Sequence, residues 1–302
     1  MLNLIKNNLF YLSIVQLFLI VGTPKCHPKL TTINENIEQE GGSLELSKFV
    51  LADDSTNELY VAPSIIIDSS ISVDTLTNKL IKDTLSNFPF SFGASSLIGQ
   101  INFASDTNFV QVLKYTQKEG IYLRRLAYEN FVKMADAATL EGIHLNILSA
   151  GREFNHQKAI WETKWTTKYN YISNPVMRAK EILNYSAMPG SSRHHWGTEV
   201  DINALNNAYF STGEGKKTYD WMLKNASRFG YCQVYNNKND RNFKGYNEER
   251  WHWSYLPLSE IMLVDYLKQI DYSMIKGFLG DETAPEIQII ENYVKAINSG
   301  CN

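Results

Sequence analysis

Cysteine is scarce. The chain holds three, Cys26, Cys232 and Cys301, and no CxxC pair, which excludes a structural zinc knuckle. It has no basic excess either: 29 Lys and Arg against 32 Asp and Glu leave a formal net charge of -3. With no cationic face to neutralise phosphates, nucleic acid is excluded as a main partner. The N-terminal apolar run, "LFYLSIVQLFLIV", has 13 residues, too few to cross a bilayer comfortably. Internal repeats and low-complexity tracts are absent, so the composition points away from repeat architectures.

What is present is ordinary globular material. Apolar residues make up 44% and charged residues 20% of 302, enough to bury a sizeable core in one good-sized domain plus appendages, or in two small ones. The 12% aromatic content suits both core packing and grooves for extended ligands. The short apolar run behind Lys6 has the length of a signal-peptide core, so residues 1–25 are expected to be a signal peptide. A signal anchor is the alternative. Cys26 invites a lipoprotein reading that Lys25, directly before it, fits poorly. Export to the periplasm or cell envelope is the expectation, with membrane attachment only if the signal is retained or Cys26 is lipidated. In an oxidising compartment Cys232 and Cys301 either pair or stay as one buried and one tail thiol.

Residues 26–87 are polar and weakly patterned, a spacer with a few short strands or a helix. Chemistry is expected in residues 88–302. "YLRRLAYENFVKMADAATLEG" places Leu123, Leu126, Ala127, Phe131, Met134, Ala135 and Ala138 on one helical face, closed by Gly142. "IHLNILS", "TEVDI", "YCQVY" and "ERWHWSY" read as strands, "NHQKAIWETKW" and "KKTYDWMLKNASRFG" as helices, and "NNKNDRNFKG" as a polar loop. The order predicts an α+β fold with a small, largely antiparallel sheet and packed helices, as a monomer.

The stretch "SSRHHWGTEVDI" puts His194 and Asp201 seven apart across Gly197, whose freedom lets the chain reverse closely. His252 follows in "EERWHWSY". Two imidazoles and one carboxylate make a three-ligand set suited to catalytic zinc, with Glu249, three residues before His252, in reach of a bound water as general base. A lone histidine among aromatics more often reads as a satisfied core residue, and His27, His144 and His156 are read so. His195 reads as a donor behind the ligands, a substrate contact or a plain polar neighbour, and Trp196 and Trp253 as cleft walls or core.

The pattern SxHxxGxxxD at Ser192, His194, Gly197 and Asp201, followed by ExWH at Glu249, Trp251 and His252, resembles the zinc D-alanyl-D-alanine carboxypeptidases of the VanY type. "SAGREFNHQ" is similar to that family's SGYRSxxxQ segment at Ser149, Arg152 and Gln157. The resemblance implies a hedgehog/DD-peptidase-like fold and hydrolysis of terminal D-alanine from peptidoglycan stem peptides. It also implies Zn2+ on His194, Asp201 and His252, Glu249 as catalytic base and acid, Arg152 at the substrate carbonyl or carboxylate, and Ser192, Gln157 and Trp251 in the substrate pocket. The chain departs from the family at Glu199, where a small residue is usual. In a strand Glu199 shares a face with Asp201, where it adds negative charge near the metal or pairs with a cation. Gly151 replaces the tyrosine of SGYR, which is expected to widen the pocket. An L,D-carboxypeptidase, a peptidoglycan endopeptidase of the same fold and a non-catalytic zinc-stabilised wall-binding module remain open alternatives.

Overall fold

The computed structural model describes residues 92–301 throughout and, between residues 39 and 68, the backbone of five short strands. The predicted signal segment, Cys26 and His27 lie outside the described residues. The chain forms two compact units, residues 1–79 and 80–302. In the first, β1 (Gln39–Glu40), β2 (Ser43–Leu46) and β5 (Ile65–Asp68) pair antiparallel in that order, and β3 (Val50–Ala52) pairs with β4 (Leu59–Val61).

The second unit opens with a one-turn helix α1 (Ala94–Leu97) and the antiparallel pair β6 (Phe109–Gln111) and β7 (Tyr122–Arg124). Helix α2 (Arg125–Leu140) buries Ala127, Phe131, Met134, Ala135 and Ala138, the predicted 3.6-residue stripe. Leu123 is not part of that stripe. It belongs to β7, because the Arg124 amide bonds the Gly197 carbonyl and the helix begins only at Arg125. Leu126 is only half-buried.

Four short strands make the central sheet: β8 (Ile147–Ser149), β9 (Glu199–Ile202), β10 (Tyr231–Cys232) and β11 (His252–Tyr255), ordered β10-β11-β9-β8 and antiparallel throughout. Around it lie α3 (Phe154–Thr163), which runs into a π-turn Lys164–Lys168, then α4 (Pro175–Ile182), α5 (Gly213–Asn225) and α6 (Leu256–Gln269). The architecture is α+β, as the element order predicts.

Two strands are shorter than their sequence patterns. In "IHLNILS" only Ile147–Ser149 pairs as a strand, because the Asn203 side chain takes the Asn146 amide and the His144 carbonyl. In "YCQVY" the ladder stops at Cys232, where Asn298 captures the carbonyls of Gln233 and Val234. The same C-terminal segment is tied down by a Cys232–Cys301 disulfide, with Cα atoms 5.8 Å apart. Among the described residues no helix is long and apolar enough to cross a membrane.

Strand alternation decides where the site lies. All eight residues of β9 and β11 are buried. Val200, Ile202, Trp253 and Tyr255 join Phe131, Met134, Trp221 and Met222 in one apolar cluster. Glu199, Asp201, His252 and Ser254 therefore project to the opposite face, towards the second cluster that holds Trp161, Trp196, Tyr235, Tyr246 and Tyr266. The polar face of the sheet is thus enclosed rather than solvated.

Candidate active site

Register brings the predicted ligands together. His252 stands opposite Asp201 and Ser254 opposite Glu199 across β11 and β9, so all four share one face of the sheet. His194 arrives from a short 3-10 turn, Arg193–Trp196, ended by Gly197 at φ +69°. A Cβ on Gly197 would meet Phe109 Cε1 at 2.3 Å, so both the left-handed backbone and the close approach require glycine. One ligand atom from each of His194, Asp201 and His252 lies within 4.8 Å of the others, and all three residues are buried.

The outer nitrogens of both histidines are already committed. His194 Nδ1–H donates to the Ala150 carbonyl at 2.6 Å, which leaves Nε2 facing Asp201 Oδ2 at 3.4 Å. His252 Nε2–H donates to Glu199 Oε2 at 2.8 Å, which leaves Nδ1 beside Asp201 Oδ1 at 3.0 Å and Glu249 Oε2 at 3.8 Å. Each imidazole thus has its outer nitrogen held from behind and its other nitrogen turned inward, the arrangement found around metal-binding histidines. Burial opposes a charge on His252, but the hydrogen bonds to Asp201 and Glu199 override it and push its pKa up to about 9, so Nδ1 carries a proton that a metal would displace. Burial also resists the charge of Asp201, yet His194 and His252 hold its pKa well below the carboxylate range.

Glu199 has a definite place. Against the penalty of burial, Arg193 and then His252 hold it down to about 2. Arg193 Nε lies 3.3 Å from Oε1, and Ser254 Oγ donates to the same oxygen at 2.7 Å. Of the two roles left open for it, Glu199 takes the cation-pairing one, and it also orients His252. Arg193, buried and stacked 4.4 Å over Trp196, is a residue sequence reasoning passed over. Its only signal was a charge next to a motif histidine.

Glu249 is buried, and burial raises its pKa to about 8, with Asp201 adding to the rise and His252, Arg152 and Lys164 opposing it. Arg152 faces Asp201 at 3.9 Å. Three buried carboxylates (Glu199, Asp201, Glu249) stand against two guanidinium groups, Arg152 and Arg193. The ligand atoms of His194, Asp201 and His252, converging on one buried point, form a donor set that fits a bound divalent cation.

Two openings meet here. A small pocket of about 30 Å³ is lined by Ser192, Tyr235, Tyr246 and the site residues. A wide cleft of about 800 Å³ runs past Arg152, Ser186, Glu249 and Trp251. Ser192, Arg152 and Trp251 therefore stand at the cavity surface. Gln157 does not: it is buried and donates to the Ala187 carbonyl at 2.7 Å, bracing the pocket wall from behind. Gly151 lines the wide cleft, and a Cβ there would meet the Tyr122 carbonyl at 2.7 Å and Phe103.

Trp196 and Trp253 are core residues and do not wall the cleft. His195 stands apart from the His194–Asp201–His252 group and from both openings. Its Nδ1–H donates to the Arg152 carbonyl at 2.6 Å and its Nε2 accepts from the Gly190 amide at 3.0 Å. Burial lowers its pKa to about 3, so it is a neutral clip between the loops bearing Arg152 and His194. His144 and His156 are exposed rather than core, and His156 stands on the wide cleft.

Residues 120–258 match the family model VanY, described as D-alanyl-D-alanine carboxypeptidase. The chain is 33% identical over 141 residues to "Putative carboxypeptidase YodJ" of Bacillus subtilis (strain 168), covering 45% of this chain and 46% of that protein. It is 32% identical over 122 residues to a D-alanyl-D-alanine carboxypeptidase of Enterococcus faecalis (strain ATCC 700802 / V583), covering 40% and 43%. The match thus spans under half the length of these curated relatives. Among solved structures it is similar to VanYB in complex with D-alanine-D-alanine, at 24% identity and a TM-score of 0.42, covering 56% of this chain and 87% of that one.

Proposed function

We propose, from the match of residues 120–258 to the VanY family model, that the protein is an exported zinc-dependent carboxypeptidase that removes the terminal D-alanine from peptidoglycan stem peptides. The observation that carries this reading is the buried His194–Asp201–His252 set with both imidazoles oriented from behind, beside a carboxylate that binds none of them closely.

Zinc on His194, Asp201 and His252 would supply water activation near neutral pH and a Lewis-acid pull on the scissile carbonyl. Glu249 accepts the proton of the attacking water and passes it to the departing amine. Its raised pKa keeps it a usable base and acid near neutrality. Arg152, held by Asp201 on one side and by the His195 clip at its own carbonyl, offers a guanidinium fork to the carbonyl oxygen as charge develops there. Ser192, Tyr235 and Tyr246 close the small pocket beside the cluster, and the wide cleft past Trp251 accepts the stem peptide. Burial keeps Tyr235 and Tyr246 protonated, so their hydroxyls remain available as neutral donors.

The test is a digest of purified muropeptides read by mass. Wild-type protein loaded with zinc should shorten pentapeptide stems by one alanine. Glu249→Gln should keep the metal and lose activity by about 10²–10⁴-fold. Shortening of tetrapeptide stems instead would move the assignment to an L,D-carboxypeptidase, and no cleavage of any muropeptide would end the peptidase reading.

A further inference from the structure

An enzyme that removes one C-terminal residue meets a free carboxylate on the leaving residue, whereas one that cuts within a chain meets an uncharged amide there. The first needs a cation on the leaving side. Lys118, Arg152 and Lys164 line the wide cleft. Lys118 is exposed, and Arg152 already faces Asp201.

Lys164 differs from both. It is the first residue of the π-turn that extends α3, and such turns often mark functional sites. The Lys164 ammonium donates to the Ser186 hydroxyl, and buried Ser186 lines both the wide cleft and the small pocket at the cluster. Among the described residues no aspartate or glutamate pairs with Lys164, and its remaining N–H donors have no protein acceptor. The group is partly desolvated, and burial, then Lys168 and Arg152, weaken its hold on its proton while Glu249 opposes them. A half-buried ammonium with no carboxylate in direct contact is costly, and an anion arriving in the cleft would relieve that cost.

We propose that Lys164, braced by Ser186, takes the free C-terminal carboxylate of the peptide being cut and thereby makes the site an exopeptidase. This rests on the carboxypeptidase reading above, and it adds the residue that selects the chain end. The alternative role, in which Lys164 only tunes Glu249 through its charge, predicts no difference between a peptide acid and its amide.

The experiment measures binding by calorimetry in the zinc-loaded Glu249→Gln protein, where turnover is blocked. The probes are an N-acylated peptide ending in D-Ala-D-Ala and its C-terminal amide. The acid should bind about tenfold or more tightly than the amide, the scale of one charged hydrogen bond. Adding Lys164→Met should abolish that preference by weakening the acid alone, and Lys164→Arg should keep most of it. Three results would each overturn the proposal: a preference unchanged by Lys164→Met, equal weakening of both peptides, or no preference or binding in the Glu249→Gln parent. Hydrolysis by the wild type is scored separately, so failure of the peptidase reading is distinguishable from failure of Lys164.

Discussion

Replacing Glu199 by glutamine keeps its shape and removes its charge. Glu199 presents one oxygen to Arg193 and Ser254 and the other to His252 Nε2. Glutamine presents one oxygen and one NH2, so either the guanidinium or the imidazole N–H must face another donor. Breaking a buried ion pair from one side costs about 3–5 kcal/mol, and the oxygen that remains places the expected loss near the lower end, about 3 kcal/mol. At about 2–4 °C per kcal/mol for a domain of this size, the metal-free Glu199→Gln protein should melt about 6–12 °C below wild type. Loss of the outer partner of His252 should also weaken zinc binding by about 10–100-fold. Thermal and urea unfolding with chelator present, followed by competition with a zinc indicator, measure both. The pH dependence has a definite sign: the folded pKa of about 2 lies below the ordinary 4.5. The stability contributed by Glu199 is therefore full above pH 4.5 and is lost as pH falls towards 2. The glutamine variant should lack that share of acid-side loss. Unchanged melting together with unchanged zinc affinity would refute the role assigned to Glu199.

Three further outcomes are expected. Arg152→Lys keeps charge but loses the guanidinium fork, so turnover of a stem peptide should fall well beyond tenfold; near-normal rates would remove Arg152 from the site. Gly197→Ala must place a Cβ 2.3 Å from Phe109 at a positive φ, and urea unfolding should show a loss of about 1–3 kcal/mol, with no loss refuting the tight turn. Reducing Cys232–Cys301, which closes a loop over a separation of 69 residues, should cost up to about 4 kcal/mol by chain entropy. A denaturation midpoint unmoved by reductant would show that the hydrogen bonds of Asn298 hold the C-terminal segment alone.

Local pattern by itself determined a good deal of this protein. The apolar stripe of α2, the turn at Gly197 and the shared strand face of Glu199 and Asp201 follow from backbone periodicity and sterics, which act over a few residues. The motif spacing likewise named His194, Asp201, His252 and Glu249, which the fold brings to one point. Tertiary structure alone decided what each of these groups faces. The β9–β11 register put Glu199 behind His252, a loop carbonyl took the second nitrogen of His194, and the sheet's apolar face claimed Trp253. Gln157 and His195, both polar and both beside the motif, became braces rather than substrate contacts because their partners, Ala187, Arg152 and Gly190, come from other segments. Cys232 and Cys301 pair because β10 and the C-terminal turn meet across a separation of 69 residues. Hydrogen-bond partners and burial are set by contacts between distant segments, and no local periodicity encodes which segments meet.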